Sequence, residues 1–366
     1  MLGPPGENEI EYWLAEGKRS AAMDLVQRLQ DVENVGAVHV YTADAAFAAP
    51  LEKLGALIQE NTSTDFHFGR SLRTCIEAIS DNTGCLAYFG AASAPLLSDV
   101  WLARIVDHVL GAERPCACVN NYHSTDWAVL NYTSLIAAAD EHIPTDNSIG
   151  WVAKNLCGFS INTLVPCAAS RNDLDTPSDL MMIADHPGIG PYLRTWLESN
   201  SAVDLTVARR IRSLLETNAR TLALLGRVSS DTAIRLEKAT QIWTRIYSEE
   251  RGMTASGRLA RGEVMSLLGK AFAAWGPKRF VHELEELGLA LRPTAAFSLE
   301  HDGVLEGLTR LTALVGQNGD RLLLLVAAPY VLQLVIEAYE AVAVFGRDIE
   351  ADVDLPLIPV ELAGNG

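Results

Sequence analysis

Hydrophobic periodicity changes character once along this 366-residue chain, at the cluster His186-Pro187-Gly188-Ile189-Gly190-Pro191. That change constrains the fold more than any other feature. Before it, short apolar runs of strand type alternate with segments whose apolar residues recur at helical spacing. Such alternation builds a sheet, mainly parallel, with helices packed on it. After it, strand patterns nearly vanish and helix-spaced segments follow one another, as in a bundle. Gly/Pro clusters punctuate structure, and the length allows two ordinary domains. The predicted division is therefore an α/β domain over 1–187 and an all-helical domain over 188–366.

In the first part, residues 9–30 have a helical pattern that Gly17 can break. Val35 to Tyr41 alternates and is rich in valine, which predicts a strand. Leu51 to Gln59 and Gly69 to Ser80 have helical spacing. Gly84 to Gly90 is a short apolar run between glycines, as a buried strand requires. Ser98 to Leu110 is amphipathic, Cys116 to Asn120 is a further strand, and Trp151 to Val165 can supply more. Asp179 to Ala184 closes the domain as a helix. In the second part the expected helices are 202–225, 230–250, 258–275, 278–289, 301–315 and 321–345. No fixed-period repeat occurs, which excludes a solenoid.

Composition narrows the function classes. With 49% hydrophobic and 20% charged residues the chain is globular rather than disordered. Its net charge of −17 repels polyphosphate backbones, so nucleic acid is not an expected partner. The most apolar stretch, Leu322 to Phe345, is interrupted by Glu337 and Glu340. Its uncharged part, 322–336, is shorter than the roughly 20 residues a membrane span needs. A buried helix or a helix interface that joins two copies of the chain fits it better, and no membrane association is expected. Met1-Leu2-Gly3-Pro4-Pro5 has no secretory pattern, so a cytoplasmic setting is expected. There the six cysteines stay reduced. Cys116 and Cys118 share one face of a strand, but no second pair or histidine cluster has zinc-site spacing.

Two segments bear on chemistry. Tyr88-Phe89-Gly90-Ala91-Ala92-Ser93-Ala94-Pro95-Leu96-Leu97-Ser98 links a buried strand to a helix. Asn172-Asp173-Leu174-Asp175-Thr176-Pro177-Ser178-Asp179-Leu180 opens the closing helix. Locally, Asp175 or Thr176 can cap that helix, with Pro177 in its first turn. Taken in order, the two segments resemble the molybdenum-cofactor guanylyltransferase-like and sugar-nucleotide cytidylyltransferase-like families. In those families a Gly-Asp-x-Pro-Leu-Leu loop ends a middle strand, and a D-x-D-T-P-x-D-L sequence leads into the last helix. The resemblance covers residues 10–185. It implies a GT-A type, Rossmann-like mixed sheet flanked by helices. It also implies transfer of a nucleotidyl group from a nucleoside triphosphate to a phosphorylated small molecule, with Mg²⁺ and release of pyrophosphate.

That chemistry is an in-line displacement at the α-phosphate. It depends on positioning, Mg²⁺ and cationic side chains. By the resemblance, Asp173 and Asp175 are the metal ligands, and Asp175 and Lys18 are the catalytic pair. Gly69, Arg70, Ser71, Ser93 and Pro95 hold the nucleotide. Gly69 to Ser71 stand at a helix start, where backbone amides meet anions; a simple cap by Ser71 or Asp65 is the competing reading. His123 and Asp126, in the polar stretch after a strand, and Arg251 and Arg258, in the second domain, are the acceptor-binding candidates. Two departures stand out. Ser93 occupies the position of the family's aspartate, and no apolar strand with a glycine-rich loop precedes Gly17-Lys18-Arg19. An active transferase and a relative that kept the fold and serves as a nucleotide-binding or scaffolding subunit both remain open.

Overall fold

The computed structural model describes residues 9–42, 45–60, 66–79, 85–164, 167–175, 177–200, 205, 209, 221–226, 230–248, 257–258, 260–287, 289–291, 323–326 and 358–359. The chain divides into two compact units, Met1–Val203 with Asp352–Gly366, and Asp204–Ala351.

The first unit opens with α1 (Glu9–Asp31), whose buried face is Ala21, Ala22, Leu25, Val26 and Leu29. Gly17 does not break this helix. A Cβ there would sit 2.6 Å from Leu180 Cδ1, so glycine admits a neighbouring helix rather than ending its own. β1 (His39–Thr42), α2 (Ala45–Lys53) and β2 (Leu57–Glu60) follow. The helix expected over 51–59 is thus corrected. α2 ends at Lys53, and Leu57–Glu60 pairs parallel with β1. α3 (Phe68–Ala78), β3 (Leu86–Phe89), α4 (Asp99–Leu110) and β4 (Cys116–Val119) match their expected spans closely.

β5 (Trp127–Leu130) is a strand that the sequence reading missed. The link from β4 to β5 is a short loop, too short for a parallel crossover, so β5 runs antiparallel to β4. α5 (Thr133–Ala137), α6 (Ile149–Asn155), β6 (Ser160–Thr163), α7 (Ala168–Arg171), α8 (Pro177–Ile183) and α9 (Pro191–Ser199) complete the helices and strands before residue 203. A short β11 (Ile358–Pro359) adds an edge.

The main sheet has the order β11-β6-β4-β5-β3. It is mixed: β4 and β6 are parallel, and β5 is antiparallel to both neighbours. β1 and β2 form a separate parallel pair. Successive strand residues point to opposite faces. Phe89, Cys116, Cys118, Trp127 and Val129 therefore pack in one core with α1, α2 and α4. Tyr88, Ala117, Val119, Ala128 and Leu130 pack in the other with α3, α5 and α6.

The Gly/Pro cluster at 186–191 caps α9, which packs on α1 through Trp13 and Trp196 at 5.1 Å. Asp24, buried in α1, accepts hydrogen bonds from the Tyr192 and Leu193 amides at 2.9 Å each. It serves as a distant N-cap and suits the positive end of the helix dipole. Asp24→Ala leaves two amides without their acceptor and is expected to cost about 2–4 kcal/mol. Urea denaturation followed by tryptophan fluorescence measures it; a loss below about 0.5 kcal/mol would show that the cap matters little.

In the second unit, β7 (Thr221–Gly226), β8 (Trp243–Ser248), β9 (Leu289–Leu291) and β10 (Leu323–Val326) form a four-stranded parallel sheet in the order β10-β9-β7-β8. Helices α10 (Ser230–Ala239) and α11 (Leu267–Leu287) lie between strands in sequence. The all-helical expectation is corrected for these residues: 221–226, 243–248 and 323–326 are strands where helices 202–225, 230–250 and 321–345 were expected. Leu/Ala-rich runs such as Thr221–Gly226 have no alternation, and a short apolar run of that kind does not separate strand from helix by periodicity. Gly276 (φ 74°, ψ 165°) breaks α11 at the expected gap between 258–275 and 278–289. The helix expected over 301–315 lies outside the described residues, as does most of 321–345. Among the described residues no helix is long and apolar enough to cross a membrane.

Candidate functional site

Three loops converge at one end of the main sheet. β3 runs into Gly90 and a tight turn in which the Ser93 amide and hydroxyl both donate to the Gly90 carbonyl, at 3.0 and 2.8 Å. Ala94 takes a left-handed φ of 54°, unusual for a residue with a side chain. The turn is then stitched to the segment after α7. The Ala94 amide donates to Asn172 O at 3.0 Å, and the Leu174 amide to Ala92 O at 3.3 Å. Ser93 and Asp173 thus face each other in an antiparallel bridge. Arg28, from α1, donates to the carbonyls of Pro95 (2.8 Å), Leu97 (3.1 Å) and Gly188 (3.1 Å) and so holds the Pro95-Leu96-Leu97 loop.

The third loop joins β4 to β5. Buried Asn120 accepts from the amides of Asp126 (2.9 Å) and Trp127 (3.3 Å) and donates to Asp126 Oδ2 at 2.5 Å. The Gly90 amide donates to Asp126 O at 3.0 Å, which sets Asp126 against the start of the Ser93 turn. Asp146 approaches from the 146–148 turn and accepts from the Tyr88 hydroxyl at 3.1 Å. Past Asp173, Asp175 meets Lys18 of α1 at 3.4 Å. The Asp175 amide donates to Asp179, which fixes the opening of α8 at Pro177. The site therefore lies at the carboxyl ends of β3 and β4, where α/β sheets place ligand groups.

The electrostatics are one-sided. Burial pushes the Asp126 carboxyl up to about 7; its hydrogen bond from Asn120 opposes this, and Asp146 and Asp175 add to it. Asp173 is raised well above the usual carboxylate range by burial and then by Asp175 and Asp126, with Lys18 pulling the other way. Asp146 is raised by burial and by Asp175. These aspartates thus repel one another, opposed by Lys18 at Asp173 and by Arg171 at Asp126. Such a site attracts a cation or a proton, and it accepts a phosphate only when a cation accompanies it. Among the described residues no group of three or more His, Cys, Asp or Glu side chains is arranged to hold a metal by itself.

The structure brings Lys18, Ser93, Pro95, Asp126, Asp173 and Asp175 to this end of the sheet. Ser93, at 2% exposure, spends its hydroxyl on Gly90 and does not offer it outward. Gly69, Arg70 and Ser71 are engaged elsewhere. Gly69 is pressed against the backbone of Asp140 and Ile143, and its amide donates to Ile143 O at 2.9 Å. Arg70 pairs with Glu141 at 3.0 Å, and Ser71 is buried. The cap of α3 is His67, not Ser71, while Asp65 lies outside the described residues. His123 is exposed, edge-on to Tyr122 at 4.6 Å. Arg258 belongs to the second unit, 3.9 Å from Glu263, and Arg251 lies outside the described residues.

Sequence reading missed Asn120 and Asp146. Asn120 opened the polar stretch already noted, and its spacing to Asp126 across a hairpin was the available signal. Nothing in the sequence distinguishes Asp146 from other loop aspartates. All six cysteines are free thiols. Burial pushes Cys85 and Cys118 up to about 12, which keeps them protonated. Compared with known proteins, the chain matches no family model and no curated protein sequence.

Proposed function

We propose that the first unit binds a nucleoside triphosphate with Mg²⁺ and transfers its nucleotidyl group to a phosphorylated small molecule, with release of pyrophosphate. The observation that carries this reading is the carboxylate group Asp126, Asp173 and Asp175, beside Lys18, at the carboxyl ends of β3 and β4. An acceptor phosphate oxygen attacks the α-phosphorus, and the bond to the β-phosphate breaks. A phosphate nucleophile brings no proton that must be removed, so the site needs charge control more than a general base.

Mg²⁺ fits this donor set. It takes one or two carboxylates and completes its shell with phosphates and water, so Asp175, exposed beside Lys18, with one further aspartate would be enough. Asp175 and Asp173 would hold it, and Asp126 would stand in for the carboxylate that Ser93 lacks. When bound, the ion neutralises phosphate charge. Lys18 leaves Asp175 for the phosphates. Its pairing with Asp175, which is 64% exposed, contributes little to folding.

Lys18→Ala is therefore expected to weaken triphosphate binding about tenfold or more while stability moves by less than about 0.5 kcal/mol. Calorimetry paired with thermal denaturation separates the two effects. Equal binding by the variant and the parent chain would remove Lys18 from the site. The second reading, a relative that binds nucleotide without transferring it, is favoured by the inward-turned Ser93 hydroxyl. Pyrophosphate release in the presence of sugar phosphates and each nucleoside triphosphate decides between them. Release that Asp175→Ala abolishes supports transfer; binding without release supports the second reading.

A further inference from the structure

We propose that Cys116, at the amino end of β4 and away from the carboxylates, is a peroxide-reactive thiol activated by His108 and Asn162. Cys116 and Cys118 project to the face of the main sheet that α4 covers. His108 stands in the last turn of α4, and its Nε2 lies 3.9 Å from Cys116 Sγ. Asn162 of β6 lies beside both. Its Nδ2 is 3.2 Å from His108 Nε2 and 3.5 Å from Cys116 Sγ. An amide nitrogen carries two N–H donors and accepts nothing. One N–H therefore serves Nε2, which is the unprotonated ring nitrogen, and the other serves the sulfur. A nucleophile, a base and an amide that orients both are thus within reach of one another. The arrangement is held from behind by Asn131, after β5. Its Oδ1 accepts from the Cys116 amide at 2.8 Å, and its Nδ2 donates to the carbonyls of Val109 (3.3 Å), Ala112 (3.1 Å) and Arg114 (3.1 Å). The end of α4 is so tied to the start of β4.

The rim decides the reagent. Cys116 is 5% exposed, but His108 and Ser160 are exposed and Asn162 is half-buried. Ser160, in register with Cys116 on β6, donates to Pro115 O at 3.2 Å. The sulfur lies one layer beneath polar groups, which suits a small polar reagent and not a bulky apolar one. A hydroperoxide meets that requirement. His108 Nε2 takes the thiol proton, and the Asn162 N–H stabilises the thiolate. The sulfur attacks one peroxide oxygen and the O–O bond breaks. The departing hydroxide takes the proton back from His108 and leaves as water. Sulfur gives two electrons to the peroxide, and Cys116 becomes a sulfenic acid. Cys118 does not turn the pair into a metal site, since among the described residues no three His, Cys, Asp or Glu side chains are so arranged. Burial pushes Cys85 and Cys118 up to about 12, with Cys116 adding to both, and raises Cys75 and Cys157. These four stay as thiols, the less reactive form. β11 pairs with β6 on the side away from β4. Residues 352–357 and 360–366, on either side of β11, lie outside the described residues, so the reactivity of the folded full chain is the quantity to measure.

The folded full chain is exposed to hydrogen peroxide at neutral pH for varied times. The reaction is quenched with catalase, the chain is unfolded in urea, and sulfenic acid is labelled with dimedone and located by peptide mass spectrometry. Label is expected at Cys116 ahead of the other five cysteines. His108→Gln and Asn162→Leu should each slow it by about tenfold or more while circular dichroism stays unchanged. His108 is exposed, so its variant keeps the test decisive even where the Asn162 variant does not fold. Raising the pH should restore the rate in His108→Gln, because hydroxide then removes the proton that His108 takes; a mere packing defect would not respond in this way. Three results overturn the proposal: faster labelling of another cysteine, a rate unchanged in folded His108→Gln, or a Cys116 that reacts only after the chain is unfolded, which would mean that the sulfur is covered.

Discussion

Asp126→Asn is expected to stabilise the protein at pH 8, to leave its stability unchanged near pH 4, and to impair nucleotide binding. The sign follows from the raised carboxyl. In the unfolded chain an aspartate titrates near 3.8, whereas in the folded protein Asp126 holds its proton to about 7. Between those values the folded state binds more protons than the unfolded state, so stability falls as pH rises through the window. Above it, the folded protein carries a desolvated charge facing Asp146 and Asp175. Asparagine keeps the shape and still accepts from Asn120, but it brings no charge. The gain at pH 8, discounted for partial exposure, is about 1–3 kcal/mol. For a unit of this size that is roughly 3–8 °C in Tm. The same substitution removes a carboxylate from the proposed Mg²⁺-nucleotide site, and affinity is expected to fall about tenfold or more. Thermal melts at pH 4 and pH 8, with calorimetry at pH 8, check both halves. A variant destabilised at pH 8 would mean that the charge of Asp126 is compensated by groups other than those described.

The largest loss of stability is expected from Gly69→Ala. A Cβ at this position would lie 1.9 Å from the Asp140 carbonyl oxygen and 2.9 Å from that of Ile143. Both are backbone atoms, in a turn held on one side by Arg73 to Asp140 at 3.2 Å and on the other by the Gly69 amide itself. No rotamer change relieves such a contact; the start of α3 must separate from the 140–143 turn. That separation uncovers Phe68 and Ile143, both buried in the second core, and breaks the Gly69–Ile143 hydrogen bond. The expected cost is about 3–5 kcal/mol, enough to lower the urea midpoint sharply. An alanine variant within about 1 kcal/mol of the parent would show that this turn yields easily. The glycine thus has a packing role, whereas a helix start that binds a nucleotide would tolerate alanine in folding and fail in binding.

These two residues show how far the sequence could be read. Gly69 was legible as a special position but not as to its reason, because the Asp140 carbonyl that demands glycine is remote in sequence. Asp126 was legible as a polar group after a strand. Its raised carboxyl comes first from burial and then from Asp146 and Asp175, all of which only the folded chain supplies. Amphipathic helices such as α3 and α4 and glycine-bounded β3 announced themselves through periodicity. β5 did not: Trp127-Ala128-Val129-Leu130 is buried on both faces, so it lacks alternation and is too short for its apolar character to separate strand from helix. β2 was hidden for a related reason, since α2 carries Pro50 inside it and the helical pattern continued past its end. The Pro95-Leu96-Leu97 loop and the Asp173–Leu180 segment were noted as separate motifs. That they are stitched together through Ser93 and Asp173 is tertiary information.

The central claim is that the carboxylates beside Lys18 form a nucleotide site that works with a cation. Titration calorimetry of the full chain with CTP, GTP, ATP and UTP, each with and without Mg²⁺ at pH 8, tests it most directly. At least one triphosphate should bind in the presence of Mg²⁺ and lose its affinity when the ion is chelated or when Asp175 is replaced by alanine. No heat of binding for any of the four at millimolar concentration, with Mg²⁺ present, would contradict it.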